Sequence, residues 1–415
     1  MKLSVLSLLA ITTAVSAWLP HERNLFGEQP NSVASYLPAG RGRAVKRFTS
    51  GYNKIRGVNL GSLFIIEPWM ASQEWDSMGC GGTKSEFDCM IKLGQDAGDA
   101  AFQKHWGSYI GEQDLDTIKA YGLNTIRVPV GYWMVEDTVW RDSEHFPKGG
   151  LAYLDQLVGW AADRNIYVIL DLHGAPAAQE PNQPFTGQYA PTAGFFVSWQ
   201  YDRAYKFLQA MTQRIHTNSA YRTTGMLEVL NEPERNHPDL ITSYYATAYA
   251  KIRETESQLN VAQGQQLTIQ FMDKGWGAGN PVDVIGSKPS VAYDDHRYLK
   301  WDTSIEHTKA SYIKTSCSDT FGDGGNTPLI VGEWSLSVKD DLERTPDFDP
   351  SVQSNKAFYT QWWAAQVSAY EKQLGWVFWS WKTQLGDDWR WSYKQAVEAG
   401  IVPKDPNQAA QLAKC

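Results

Sequence analysis

The sequence predicts an α/β protein, a single (β/α)8 TIM barrel with loop insertions over residues 48–415. Three observations predict it. Short, nearly continuous apolar runs rich in β-branched residues recur eight times, helical patterns lie between them, and no low-complexity linker or short repeat divides the segment. Unbroken apolar character, rather than alternation, marks a strand buried on both faces of a parallel sheet. Strands alternating with helices build an α/β domain. An open doubly wound sheet is the main alternative, but no glycine-rich phosphate loop opens a helix after the first strand.

The elements follow in order. The first strand is "KIRGVNLG" (54–61), and a long insertion separates it from the helical pattern "EQDLDTIKAYGLN" (112–124) and the second strand, "NTIRVPVG" (124–131). "LAYLDQLVGWAADRN" (151–165) sets Leu151, Leu154, Leu157, Val158 and Ala161 on one helix face ahead of the third strand, "IYVILDLHG" (166–174). The fourth to sixth strands are "GMLEVLNEP" (225–233), "QLTIQF" (266–271) and "SVAYDDHRY" (290–298). "PLIVGEWS" (328–335) is the seventh, and the helix "NKAFYTQWWAAQVSAYEK" (355–372) leads to the eighth, "GWVFWSWK" (375–382).

The N-terminus stands outside this pattern. Residues 1–17, "MKLSVLSLLAITTAVSA", have the basic start, apolar stretch and small residues of a secretory signal peptide cleaved before Trp18. Residues 18–47 read as a propeptide ending in the dibasic pair Lys46-Arg47, so the expected catalytic domain is 48–415 and the expected location extracellular. Residues 1–47 carry six basic and two acidic side chains, and their removal takes the net charge from −8 to −12. So acidic a body argues against nucleic acid or an anionic membrane as partner, and a monomer is expected. Four cysteines allow three pairings; the working expectation joins Cys80 to Cys89 and Cys317 to Cys415. No C-x-x-C or His/Cys cluster has metal-ligand spacing, so neither a metal nor another cofactor is expected.

In a barrel of this kind the chemistry sits at the C-terminal ends of the strands. Polar residues collect there: Asn59 after the first strand, Arg127 in the second, His173 after the third and Asn231-Glu232 ending the fourth. His296 and Tyr298 follow the sixth, Glu333 ends the seventh and Trp379 lies in the eighth. The fourth and seventh strands face each other across the mouth, so Glu232 and Glu333 can oppose one another over a cleft. Two carboxyl groups so placed suit glycosidic bond cleavage, one protonating the leaving oxygen while the other attacks the anomeric carbon or activates water.

The ordered motifs "RVPVGYW", "DLHG", "LNEP", "DHRY", "GEW" and "FWSWK" resemble glycoside hydrolase family 5, the retaining (β/α)8 β-glycosidases, over nearly all of 51–400. Within that family, "RGVNLGSLFIIEPWM" is similar to the fungal cell-wall glucanases. "SMGCGGTKSEFDCMIKLG" and "HGAPAAQEPNQPFTGQYAPTAGF" look closest to the fungal endo-β-1,6-glucanases. The resemblance implies a secreted hydrolase of internal β-1,6 bonds in β-glucan, with Glu232 as general acid/base and Glu333 as nucleophile. It further implies that Asn231 bonds the sugar 2-hydroxyl and that Arg127 keeps the nucleophile ionised. His173, His296 and Tyr298 would complete the polar floor with Tyr298 touching the nucleophile, Trp379 would stack under the reacting sugar, and Glu67 would bind its hydroxyls. An exo-β-1,3-glucanase is the alternative within the family, and a catalytically inactive glucan-binding wall protein the alternative outside it.

Other candidates receive plainer readings. Glu228, mid-strand and four residues before Glu232, is a buried structural partner, and Glu234 a solvated loop acid. Asp294 and Asp295 beside His296 lack the spacing of a metal site. Trp69, Trp133, Trp276, Trp334 and Trp381 fall near strand ends and are expected to line sugar subsites. Trp160, Trp362 and Trp363 lie in helical patterns and are expected in the core.

Overall fold

Eight strands close into a barrel in the order in which they occur: β1 (Ile55–Asn59), β2 (Thr125–Gly131), β3 (Tyr167–Gly174), β4 (Thr224–Glu228), β5 (Thr268–Met272), β6 (Val291–Arg297), β7 (Leu329–Trp334) and β8 (Gly375–Phe378). The computed structural model describes residues 54–415 except 236, 238, 277, 278, 287, 289 and 322–327; the expected signal peptide, propeptide and dibasic site lie outside the described residues. β8 pairs in parallel with β1, with Ile55 opposite Gly375 and Val58 opposite Phe378, which closes the barrel and excludes the open sheet. All strand residues of β2 and β3 are buried, as their unbroken apolar runs require. Pro129 has no N–H to give the ladder, and the β2–β3 register slips just beyond it, between Val130 and Gly131.

The helices that alternate with the strands are α1 (Glu112–Ala120), α2 (Gly150–Asp163), α3 (Ser198–Thr217), α4 (Ala246–Gln258), α5 (Val282–Ile285), α6 (Lys309–Cys317), α7 (Lys356–Tyr370) and α8 (Tyr393–Glu398). α2 buries Leu154, Leu157, Val158 and Ala161, while Leu151 at its edge is only partly covered. Trp362 and Trp363 of α7 are core residues as expected, and Trp160 packs half-buried against the core. Among the described residues no helix is long and apolar enough to cross a membrane.

Two features set the working end of the barrel. Inside, Ile55, Tyr167, Ile169, Met226, Ala292, Ile330 and Val377 form a separate apolar plug, contributed by six of the eight strands. Asn59, Arg127, Asp171, Glu228 and Asp294, nearer the strand C-termini, carry the polar layer. Outside, the insertion between β1 and α1 carries the helices Ser72–Ser77, Glu86–Leu93 and Gln95–Trp106 and the Cys80–Cys89 disulfide. It is pinned to the chain leaving β1: Glu86 Oε1 accepts from the Ile66 N–H at 2.9 Å, and His105 Nε2 lies 2.9 Å from the Ser62 carbonyl. The second disulfide, Cys317–Cys415, ties the C-terminus to the end of α6, and both pairings are those expected.

Candidate active site

The site is built around Arg127 of β2, whose side chain is fully buried. Its guanidinium donates from Nε to Glu228 Oε2 at 2.9 Å, from Nη1 to Asn59 Oδ1 at 3.0 Å and Glu333 Oε1 at 2.9 Å, and from Nη2 to Asn231 Oδ1 at 2.8 Å. Nη2 also lies 2.9 Å from Asp171 Oδ2. A planar fork with five donors is what can hold groups from four strands, β1, β3, β4 and β7, and from the turn after β4 at once; a lysine would reach one or two. Burial drives the Glu228 carboxyl well above the usual range, against the pull of Arg127 and with the repulsion of Asp171 and Asp294 added. The cations Arg127 and His296 face Glu228, Asp171, Asp294 and Glu333 together, so burial favours a retained proton on Glu228.

Glu333, near the end of β7, takes the Arg127 bond on Oε1 and a bond from the Tyr298 hydroxyl on Oε2 at 2.9 Å. Burial raises its carboxyl above the ordinary glutamate value of 4.5, and the His296 and Arg127 cations draw it back only in part. Glu232 Oε1 lies 2.6 Å from His296 Nδ1, which is also 3.6 Å from Glu333 Oε2. Burial disfavours the His296 cation, but Glu333 and Asp294 outweigh it and hold the imidazole protonated well above its usual range. The Glu232, His296 and Glu333 ligand atoms fall within 4.8 Å of one another. Three such groups have the makings of a metal site, but the Arg127 guanidinium and Tyr298 hydroxyl already point their hydrogens at Glu333, an environment that repels a cation.

Glu232 sits at φ +35°, in the left-handed region that side chains normally avoid, and precedes Pro233, which narrows its options further. Such a conformation costs roughly 1–3 kcal/mol and persists only where the surroundings impose it. Here they do. Asn231 N–H donates to the Leu172 carbonyl at 3.0 Å, and Gln179 Nε2 donates to the Asn231 carbonyl at 3.0 Å, fixing the turn from one side. Among the described residues the buried Asn231 Nδ2 has no acceptor, which leaves it a hydrogen bond to offer a ligand.

Around these groups lies a cleft of about 840 Å³. Trp379 forms part of its floor, stacked against His173 at 5.5 Å and 8°, and His173 is itself held by Asp171 at 2.7 Å. Glu67 lies in the same cleft, accepts from Trp69 Nε1 at 2.9 Å, and is pushed up to about 7 by burial with Glu333 and Glu232 nearby. Flat rings beside hydroxyl-binding carboxyl groups are what a pyranose requires.

Residues 90–385 match the family described as Cellulase (glycosyl hydrolase family 5). The chain belongs to glycosyl hydrolase family 5. It is 52% identical over 415 residues to the glucan endo-1,6-beta-glucosidase B of Emericella nidulans, covering 99% of both chains. It is 29% identical over 400 residues to a probable glucan 1,3-beta-glucosidase A of Aspergillus niger, covering 87% of this chain and 90% of that one. The crystal structure of rutinosidase from Aspergillus niger shares the fold at a TM-score of 0.66 and 18% identity, over 85% of this chain and 99% of that one.

All nine residues expected at the site of this family 5 hydrolase converge on the cleft or its polar floor, but several stand elsewhere along the chain than expected. β4 ends at Glu228, so Glu232 lies four residues past the strand in a turn, and Glu228 is the last strand residue rather than a mid-strand one. The apolar run continues to Leu230 because Val229 and Leu230 remain buried after the ladder stops. His173 and His296 lie within β3 and β6 instead of after them, and Trp379 lies just beyond β8. Asp294 accepts from the Gly332 N–H at 2.8 Å and Asp295 pairs with Arg297 at 2.8 Å, so both serve the scaffold. Glu234, expected to be solvated, is half-covered and lies 2.9 Å from His237.

The tryptophans divide differently from expectation. Trp69 and Trp276 line the cleft; Trp133, Trp334 and Trp381 are buried. Trp133 stacks on Phe146 at 4.2 Å and fills the space left by Gly131, Gly174 and Gly187, where an added Cβ would meet its ring within 3 Å. Glu180, Arg235, Lys300, Trp301 and Trp391 also line the cleft and went unselected. Lys300 and Trp301 follow closely on β6, a signal shared by many core residues, whereas Glu180, Arg235 and Trp391 lie further past their strands, where nothing in the sequence marks them.

Proposed function

We propose that the chain is a secreted retaining endo-β-1,6-glucanase that acts as a monomer on β-glucan without a metal or other cofactor. The observation that carries the reading is the Glu232–His296–Glu333 arrangement, with its ligand atoms within 4.8 Å. Carboxyl groups about 5–5.5 Å apart serve retention, whereas inversion needs about 6.5–9.5 Å to admit a water between them. The identity to the Emericella nidulans relative supports the β-1,6 linkage over the β-1,3 alternative. Two disulfides among the described residues support an oxidising, extracellular setting.

In the first step a Glu333 oxygen attacks the anomeric carbon while the bond to the leaving oxygen breaks, and that oxygen takes the proton of Glu232. In the second, a water gives its proton to Glu232 and attacks the same carbon, and Glu333 departs as a carboxylate. Arg127 and Tyr298 keep their hydrogen bonds to Glu333 throughout and stabilise the charge it regains on release. Asn231 Nδ2 bonds the 2-hydroxyl, Glu67 further hydroxyls, and Trp379 supports the ring. His173 holds Trp379 in place from behind.

Product analysis on β-1,6-, β-1,3- and β-1,4-glucans tests the substrate. The expected result is oligosaccharides from β-1,6-glucan, with the β-anomer forming first by NMR. Glucose alone from β-1,3-glucan with no β-1,6 cleavage would sink the reading, and α-anomer first would sink retention.

A further inference from the structure

One wall of the cleft can be followed residue by residue. The Trp276 ring meets His296 edge-on at 5.6 Å, His296 lies 3.6 Å from Glu333, and Tyr298 bonds Glu333. Beyond Tyr298 come Trp391 at 5.6 Å and Trp301 at 5.0 Å, and Trp391 in turn touches Trp69 at 5.2 Å. Glu232, the proton donor, belongs at the leaving-group side, so Trp276 flanks the departing sugar. The aromatic group past Tyr298 therefore lies on the other side, beyond the sugar that becomes attached to Glu333.

Trp301 is out of keeping with a merely structural role. It is 59% exposed, yet it is not loose. It closes the turn Leu299–Trp301 directly after β6, with its N–H bonded to the Tyr298 carbonyl at 3.1 Å. The buried Lys300 places its ammonium 5.3 Å from the Trp301 ring and 5.1 Å from Trp391. That ammonium is held by Asp340 at 2.7 Å, Glu343 at 3.1 Å and Ser337 at 3.1 Å. A large ring fixed from behind and bare in front, at the end of a sugar-sized cleft, is a platform prepared before its ligand arrives. Asp340, Glu343 and Asp388 line the same end and offer acceptors for hydroxyls.

We propose that Trp301, backed by Lys300 and Trp391, is a distal subsite for a glucosyl unit on the non-reducing side of the cleaved bond, and that it commits the enzyme to attack within chains. This rests on the β-glucanase reading and adds to it the length of chain recognised. An exo-acting site would close off at the first sugar; here the wall continues, with Trp69 as well as Trp301 uncovered. Binding energy gathered on a remote sugar is spent at the reacting centre, so the loss on removing the platform depends on chain length.

The test compares Trp301→Ala with wild type on β-1,6-linked oligosaccharides of two to six glucoses, labelled at the reducing end. For the longer substrates kcat/KM falls about tenfold more than for the disaccharide, and cleavage shifts along the chain; Trp301→Phe restores most of the difference. An equal loss at every length, or none, overturns the subsite. As a measurement independent of that variant, the wild-type rate must rise between the disaccharide and the longer substrates; a flat series overturns the subsite too. Failure of wild type to cleave any of these substrates instead overturns the β-1,6 reading on which it rests.

Discussion

In the proposed mechanism Glu333 has to be ionised to attack, yet burial holds it protonated to higher pH than an ordinary glutamate. The acid limb of kcat/KM is therefore expected above pH 4.5, the ordinary value. Tyr298→Phe removes one donor from the carboxylate and should move that limb higher still, which a pH–rate profile on one substrate would reveal; an unmoved limb would separate Tyr298 from the titration. Glu232→Gln is expected to slow hydrolysis of natural glucan by roughly 10²–10⁴-fold, and far less for an aryl glucoside whose leaving group needs no proton. Glu333→Gln should abolish both. Arg127→Lys keeps the charge but loses the fork; with Glu228, Asn231 and Glu333 all drawing on that guanidinium, a loss of about 3–5 kcal/mol in urea-unfolding stability is expected.

The insertion between β1 and α1 shows how an element far from the chemistry sets the position of a site residue. It carries Glu67 and Trp69, and Glu86 anchors it through the Ile66 N–H. Burial pushes the Glu86 carboxyl up to about 8 from 4.5, so the folded state keeps a proton that the unfolded state releases. The stability from that proton is whole below pH 4.5 and is lost as pH rises to about 8. Glu86→Gln should remove this dependence, flattening stability over the window by roughly 3–5 kcal/mol in denaturant titrations at several pH values. An unchanged slope would place the pH sensitivity elsewhere. The eight strand runs were legible in the sequence because burial on both faces leaves an unbroken apolar signature. The end of β4 was not, because Val229 and Leu230 stay buried beyond Glu228, and Val229 still donates its N–H to the Gln270 carbonyl at 3.1 Å.

Across the whole molecule the same sign recurs. Glu67, Glu180 and Asp295 are raised to about 7, first by burial, and His296 is raised as well. Every one of these groups takes stability away as pH rises through its window. The lowered carboxyls Glu74, Asp114, Asp116 and Asp349 act in the opposite sense, but only below the ordinary carboxylate range. Thermal unfolding is thus expected to peak at about pH 4–5 and to fall toward pH 8; a maximum near neutrality would contradict the burial of these acids. The Cys317–Cys415 bridge spans 98 residues, and its removal in a Cys317→Ala/Cys415→Ala variant should cost roughly 4–5 kcal/mol by loop entropy, more than the nine-residue Cys80–Cys89 loop.

By itself the sequence determined the barrel, the order of its strands and the two glutamates of the proposed mechanism. These rest on local properties: apolar runs, helical spacing, and acids where buried runs end. Tertiary structure alone decided that Arg127 is shared among Glu228, Asn231 and Glu333, and that His296 reaches both proposed catalytic acids. It also decided between tryptophans that look alike in the chain. Trp133 and Trp301 each closes or follows a turn just past a strand, but three glycines from β2, β3 and the loop after it leave a slot for Trp133, while Trp301 faces the open cleft. Whether a ring is buried depends on what distant segments bring against it, and no window of sequence contains that information.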